Sequence, residues 1–414
     1  MFRSIKFLTV CVLLSACAAT TEARLDSVRE NYMTAATTDT NFSSQNNLDL
    51  LITADTLFHN DDYSGADAAY EEFNRRNIDT TGGSFSREAA SLVFGASVNE
   101  YKPYMMDALF VSYYQLWAAL ATGRYNDARV IINQSYGRQQ DMSLAYKNTI
   151  ESNQSKIIEN AELNKKLESE NSMWAAYTDI MNPALMYLSG IYFLNNGDFS
   201  DAKTYLARAN GMSPNNTFVA TDLSLAEKHI TPKNTVWVFI EDGFAPKLHE
   251  RRVSVPVFMG DGMSIVTIAM SEPVFTNNFT NISGAQKLAD VDAMFMTEYK
   301  EYRTNDSLRA LAAATGRTAL QTSMYNSRSA SAPLMGILST IYSEVTTAAE
   351  VRTWPTLPKT ISVLRVENNK SGLIELRGSG NLVMKMNTPY DGSNYLVYVR
   401  VGPNNEDTKV IKLK

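Results

Sequence analysis

The spacing of apolar residues divides the chain into two parts with different periodicities. Between residues 48 and 230, apolar side chains recur with helical spacing, which predicts amphipathic helices. From residue 231, short apolar segments alternate with turn residues, which predicts strands, and helical spacing returns in residues 283–350. The predicted strands are residues 235–240, 252–258, 264–270, 361–366, 373–378, 382–387, 395–401 and 408–413. The pattern therefore predicts an α+β protein: a helical domain (48–230), then a small β-sandwich-like domain (231–414) with a helical insertion, in which strands 235–270 join the main sheet.

Three segments of the helical half share one local pattern, in which an aromatic residue follows a turn and an alanine follows three residues later. The segments are Asp62-Tyr63-x-x-Ala66, Arg124-Tyr125-x-x-Ala128 and Asp198-Phe199-x-x-Ala202. The pattern resembles the junction between the two helices of a tetratricopeptide repeat, in which a small alanine allows close helix approach. The third copy extends this resemblance from Gly190 to Pro214. The resemblance implies stacked helical hairpins.

A stack of helical hairpins usually presents a concave face that binds a peptide or another protein. The tyrosines expected to line such a partner-binding groove are Tyr113, Tyr114, Tyr187 and Tyr192. The same spacing is also compatible with these tyrosines belonging to the core of the repeats.

The first residues have the pattern of a bacterial lipoprotein signal peptide. Arg3 and Lys6 precede a short apolar run, which starts at Phe7 and leads into Leu14-Ser15-Ala16-Cys17. The pattern predicts removal of residues 1–16 and attachment of lipid, including an acyl chain such as palmitate, to Cys17. An ordinary secretory signal that is cut near the same place is the alternative, and both versions export the chain.

The residues after the cysteine bear on localisation. No Asp follows Cys17, so we predict sorting to the periplasmic face of the outer membrane of a Gram-negative bacterium, where the acyl chains provide the membrane attachment. Residues 17–47 are rich in Ala, Thr, Ser and Asn and are expected to form a flexible tether, with a frayed helix near 25–33.

Composition and charge exclude several classes of partner and chemistry. The 414 residues carry a formal net charge of −6, which argues against nucleic acid as a partner. The three histidines, at positions 59, 229 and 249, are far apart in sequence and lack ligand spacing, so we predict no metal site and no cofactor. Of the two cysteines, Cys11 would leave with the signal peptide and Cys17 would be acylated, so no disulfide is expected.

The β half offers one weak candidate for catalysis. Glu241 and Asp242 could act as the paired acids of a glycosidase, although a turn beside a buried strand is the other interpretation. Trp237 and Trp354 are expected in the core or on a sugar-stacking surface. Since no catalytic motif stands out, we predict a binding protein and not an enzyme.

Three segments carry a resemblance to a known group of proteins: residues 236–246 (VWVFIEDGFAP), 351–361 (VRTWPTLPKTI) and 398–401 (YVRV). Together with the N-terminal pattern and the repeats, they are similar to an uncharacterised family of proteobacterial lipoproteins. Genes of that family are often neighbours of genes for lipoproteins that activate peptidoglycan synthases. The resemblance implies a periplasmic scaffold that binds a protein partner in cell-envelope assembly; the alternative is a peptidoglycan- or glycan-directed enzyme or binding module that acts through the β domain.

Overall fold

The computed structural model combines a layer of helices with a mixed β-sheet, which confirms the α+β class. It describes residues 20–35, 41–77, 101–157, 181–259, 262–300, 349–378, 380–402 and 406–413. The helices precede most of the strands in the chain, as the periodicity predicts.

Consecutive helices pack against each other as hairpins. The helices are α1 (20–31), α2 (Asn47–His59), α3 (Tyr63–Asn77), α4 (Met105–Ala121), α5 (Tyr125–Ile157), α6 (Pro183–Asn195), α7 (Phe199–Met212), α8 (Thr217–Glu227) and α9 (291–300). The three predicted junctions lie between α2 and α3, α4 and α5, and α6 and α7, and their alanines Ala66, Ala128 and Ala202 are fully buried. Asparagine side chains at residues 46, 182 and 216 accept hydrogen bonds from the first turns of α2, α6 and α8, which fixes where those helices begin.

The main sheet has five strands in the order β4-β5-β1-β8-β9. The strands are β1 (Thr235–Asp242), β2 (Lys247–Met259), β3 (Gly262–Val274), β4 (Gln286–Asp290), β5 (Thr360–Glu367), β6 (Leu373–Gly378), β7 (Asn381–Asn387), β8 (Tyr395–Val401) and β9 (Glu406–Lys412). β1 pairs parallel with β8, and the other neighbours are antiparallel. Every residue of β1 is buried, because both faces of this central strand are covered.

Two cores cover the two faces of the sheet. Trp237 and Phe239 of β1 belong to a core that continues into the helices, whereas Val236 and Val238, which alternate with them, pack toward the β6–β7 ribbon. The helical layer and the sheet therefore share one continuous core, and residue 230 does not separate two independently packed bodies.

Three details differ from the predicted β domain. Among the described residues, β2 and β3 pair with each other and do not join the main sheet. The second face of the sheet is covered by the β6–β7 ribbon, so the architecture is a helix-covered sheet with a small sandwich at one side. The predicted insertion begins with β4, which continues the sheet edge beside β5, and then with α9. The rest of the insertion, residues 301–348, lies outside the described residues.

The predicted flexible tether is wrong for the part that the structure describes. α1 is docked on the body, with Leu25, Arg29 and Tyr32 buried. Arg29 donates to the carbonyl oxygens of Pro355 (3.0 Å) and Ala245 (2.9 Å). The low content of large apolar residues in 17–47 predicts a tether. The docking of α1 depends instead on buried polar contacts such as those of Arg29, which a hydrophobic pattern does not reveal.

Candidate functional site

The four predicted groove tyrosines do not line a groove. Tyr113, Tyr114, Tyr187 and Tyr192 are all between 0 and 5% exposed and belong to the core beneath the helices. Tyr114 donates to Glu241 of β1 at 3.1 Å, and Tyr187 donates to Asp222 of α8 at 2.6 Å. The helical face that carries them packs inward because the β-sheet covers it. Of the two interpretations of their spacing, the core placement is the one observed.

A different surface of the helical layer is concave. A groove with a volume of about 910 Å³ lies between α3, α4 and α5, beside residues 41–43. Its charged lining residues are Asp67, Glu71, Glu72, Arg75, Arg124, Asp127 and Arg138. Apolar groups such as Val130, which is 52% exposed, lie among them. The groove is thus large, polar and open to a ligand that has both charged and apolar parts.

The floor of the groove carries a chain of hydrogen bonds with a fixed direction. Arg124 donates to one oxygen of Asp67 (2.6 Å), which accepts with its other oxygen from the Gln115 amide nitrogen (3.1 Å). Gln115 must then present its oxygen to the amide nitrogen of Asn74 (3.0 Å). The direction of the chain leaves the Asn74 Oδ1 atom as its last acceptor. That atom is buried and has no hydrogen-bond partner within the described part of the chain, and the residue is 5% exposed.

The carboxylates of the groove are not all neutralised. Asp67 and Asp127 pair with Arg124, and Glu72 pairs with Arg75. Glu71 lies beside them and makes no ion pair or hydrogen bond among the described residues. Partial burial and the neighbouring Asp67 carboxylate raise the pKa of Glu71 above its usual value. A positive charge placed at this position would therefore be stabilised.

A second polar cluster lies between the helices and the sheet and is closed to solvent. Glu241 and Arg400 are both 0% exposed, with 3.7 Å between the Glu241 Oε2 and Arg400 Nη1 atoms. Glu241 accepts hydrogen bonds from Tyr114 and Tyr398, and Arg400 donates to Tyr32 of the segment that follows α1 (2.6 Å). Burial raises the pKa of Glu241 to about 7. The cluster joins α1, α4, β1 and β8.

The predicted pair of acids is part of this interior and not of a cleft. Asp242, the residue after Glu241, is 5% exposed and accepts from the backbone amides of Phe279 (2.7 Å) and Thr280 (3.1 Å). Trp237 and Trp354 are at most 1% exposed, which places them in the core and leaves neither of them on a sugar-stacking surface.

The histidines are distributed over separate contacts. His59 lies 2.7 Å from Asp407, and His249 lies 3.1 Å from Glu22 of α1. Across the described ranges, no three or more His, Cys, Asp or Glu residues come together in a way that could hold a metal ion. In the same ranges, none of the helices has both the length and the apolar character that crossing a bilayer requires.

Comparison with known proteins adds no relative. No family model, no curated protein and no solved structure matches the chain. The class of the protein is therefore given by its structure: it is a mixed α+β protein whose helical layer carries a polar groove.

Proposed function

We propose that the chain is a lipid-anchored periplasmic scaffold lipoprotein of the outer membrane, whose tetratricopeptide-like helical layer binds a protein partner in cell-envelope assembly. The observation that carries the proposal is the groove between α3, α4 and α5, with its volume of about 910 Å³. The groove is open to solvent and is lined by both charged and apolar side chains, which suits a polypeptide segment that carries both kinds of side chain.

The lipid anchor follows from the N-terminal sequence, and the docking of α1 adds a geometric consequence. Two residues, Ala18 and Ala19, separate Cys17 from Thr20, the first described residue of α1, and a fully extended chain spans at most about 11 Å from Cys17 to Thr20. A free tether of thirty residues would instead span roughly 30 Å. If Cys17 is acylated, this short connection holds the folded part of the protein close to the membrane surface. The partner would then bind beside the membrane.

Site-specific crosslinking in intact cells tests the binding function. A photoreactive amino acid at Val130, which is exposed within the groove, is expected to capture one dominant envelope protein. The matched control is Val410, an exposed valine on β9 that lies outside the groove and is expected to capture none. Equal capture at both positions, or capture of muropeptides without a protein, contradicts the proposal.

The anchor has a separate test. The Cys17→Ser variant is expected to lose labelling by a palmitate analogue and to leave the membrane fraction. If the variant still sediments with membranes and still incorporates the label, Cys17 is not the acylated residue.

A further inference from the structure

We infer that the groove takes an extended segment of the partner that places a basic side chain, Lys or Arg, at Glu71 and an N–H donor at Asn74. The inference rests on the proposed function, because it names the chemistry of the partner that the same groove binds. It is carried by two independent features of the groove, one on its floor and one on its wall.

The first feature is the unpartnered acceptor on the floor. The hydrogen-bond chain from Arg124 through Asp67 and Gln115 fixes the orientation of the Asn74 amide, and its Oδ1 atom has no donor among the residues that the structure describes. A buried acceptor without a partner is costly, and proteins seldom keep one without a reason. A ligand that brings an N–H group into the groove removes this cost on binding.

The second feature is the unpaired carboxylate of Glu71, three residues before Asn74 on α3 and therefore on the same face of that helix. The groove guanidinium groups of Arg75 and Arg124 are already paired with other carboxylates. A cation on the ligand would find Glu71 as its counterion.

The size of the groove distinguishes a peptide from a free cation. A single ammonium group or metal ion would use one carboxylate and leave most of the roughly 910 Å³ volume empty. An extended polypeptide supplies backbone N–H groups at regular intervals, together with side chains that can contact Val130 and the other apolar groups. Its chemistry therefore matches the donor, the charge and the volume together.

Selection from a phage-displayed library of random dodecapeptides on the purified full-length chain in detergent tests the inference. Enriched peptides are expected to share Lys or Arg at one position. Synthetic copies should bind about fivefold more weakly to Glu71→Gln, as expected for a partly exposed ion pair. Glu367→Gln, which changes an exposed glutamate at the end of β5, is the matched control and should bind as the unmodified protein does.

Asn74→Leu provides the second variant. It removes the unsatisfied Oδ1 acceptor together with the Nδ2 donor to Gln115, so its melting temperature should fall by several degrees while the protein stays folded, and peptide binding should fall roughly tenfold. Unchanged peptide affinity in a folded Asn74→Leu protein would overturn the role of this acceptor.

The outcomes separate this inference from the proposed function. Enriched peptides that fail to bind the bulky Val130→Trp variant would show that the groove is the binding site. If those peptides share no basic residue, or bind Glu71→Gln as tightly as the unmodified chain, the basic-segment inference is wrong and the groove remains a partner site. If selection on the unmodified chain enriches nothing beyond selection on Val130→Trp, both the inference and the groove function fail.

Discussion

Replacing Arg400 with methionine should destabilise the protein strongly. The guanidinium group is fully buried and donates to the Tyr32 hydroxyl (2.6 Å) and to the carbonyl oxygens of Gly243 and Thr356 (3.0 Å each). It also lies beside the buried carboxylate of Glu241. Methionine fills a similar length of the cavity without supplying any of these donors.

The expected loss of unfolding free energy is about 3–5 kcal/mol, the range for removing one member of a buried ion pair. Most of this loss comes from Glu241, which must either keep a buried charge without a partner or take up a proton at a pH well above its ordinary pKa. Burial already raises the pKa of Glu241 to about 7 against the opposing attraction of Arg400. Without Arg400 that pKa rises further, so protonation of Glu241 limits the loss near neutral pH.

Urea unfolding of a double-mutant cycle measures this contribution. Arg400→Met combined with Glu241→Gln should be more stable than Arg400→Met alone, because no uncompensated charge is left. Arg377→Met, which removes an exposed arginine paired with Glu375, is the control and should change stability by less than about 0.5 kcal/mol. A loss below about 1 kcal/mol for Arg400→Met, or a double variant no better than the single one, would refute the reasoning.

Two further predictions concern helix packing and pH. A Cβ atom at Gly190 would lie 2.6 Å from Cγ of Leu206, so Gly190→Ala should lower the free energy of unfolding by roughly 1–3 kcal/mol. A Cβ atom at Gly211 would meet no atom within 4 Å, so Gly211→Ala should raise the free energy of unfolding by about 1 kcal/mol. Thermal unfolding of the two variants side by side measures both changes. Burial raises the pKa of Asp107 to about 7 and that of Glu298 to about 8, so the folded state holds protons that the unfolded state has lost. This stabilisation is complete below pH 4 and disappears as the pH rises through 7 to 8. At about 1.4 kcal/mol per pKa unit, urea unfolding should show a fall of roughly 6 kcal/mol between pH 5 and 8, and a fall of roughly 3 kcal/mol in Glu298→Gln, where Asp107 alone contributes.

The strands of the second half were largely predictable because their signals are local. β5 to β9 lie within one or two residues of the predicted segments, since turn residues and apolar runs mark their ends. The pairing of the strands was not predictable in the same way. Whether β2 and β3 join the main sheet depends on contacts between distant segments. The apolar spacing of β4 predicts a helix because this strand leads directly into α9.

The candidate site could be predicted only as a region. Helical hairpins between residues 48 and 230 followed from the periodicity, and the groove lies among them. The choice of residues failed because tyrosines at helical spacing fit a core and a groove equally well, and the sheet that covers them comes later in the chain. The polar residues that form the groove floor, Asn74 and Gln115, gave no signal in the sequence, since their role depends on one hydrogen-bond chain across α3 and α4.

Two of the three helices that form the groove, α3 and α4, also attach it to the rest of the fold. On α4, Tyr114 donates to the buried Glu241 while the next residue, Gln115, lies in the groove floor. On α3, Tyr70 donates to the buried Asp55 at 2.6 Å while the next residue lies in the groove wall.

This arrangement makes the groove a preformed site. Asp55 also accepts from the Trp354 indole at 3.0 Å, so α2 and α3 are held to the segment before β5, just as α4 is held to β1. A ligand that enters the groove therefore meets helices whose positions are already fixed by buried hydrogen bonds, and little of its binding free energy is lost in ordering them. The helical half and the β half share one core: the sheet holds the helices in place, and the helices carry the groove.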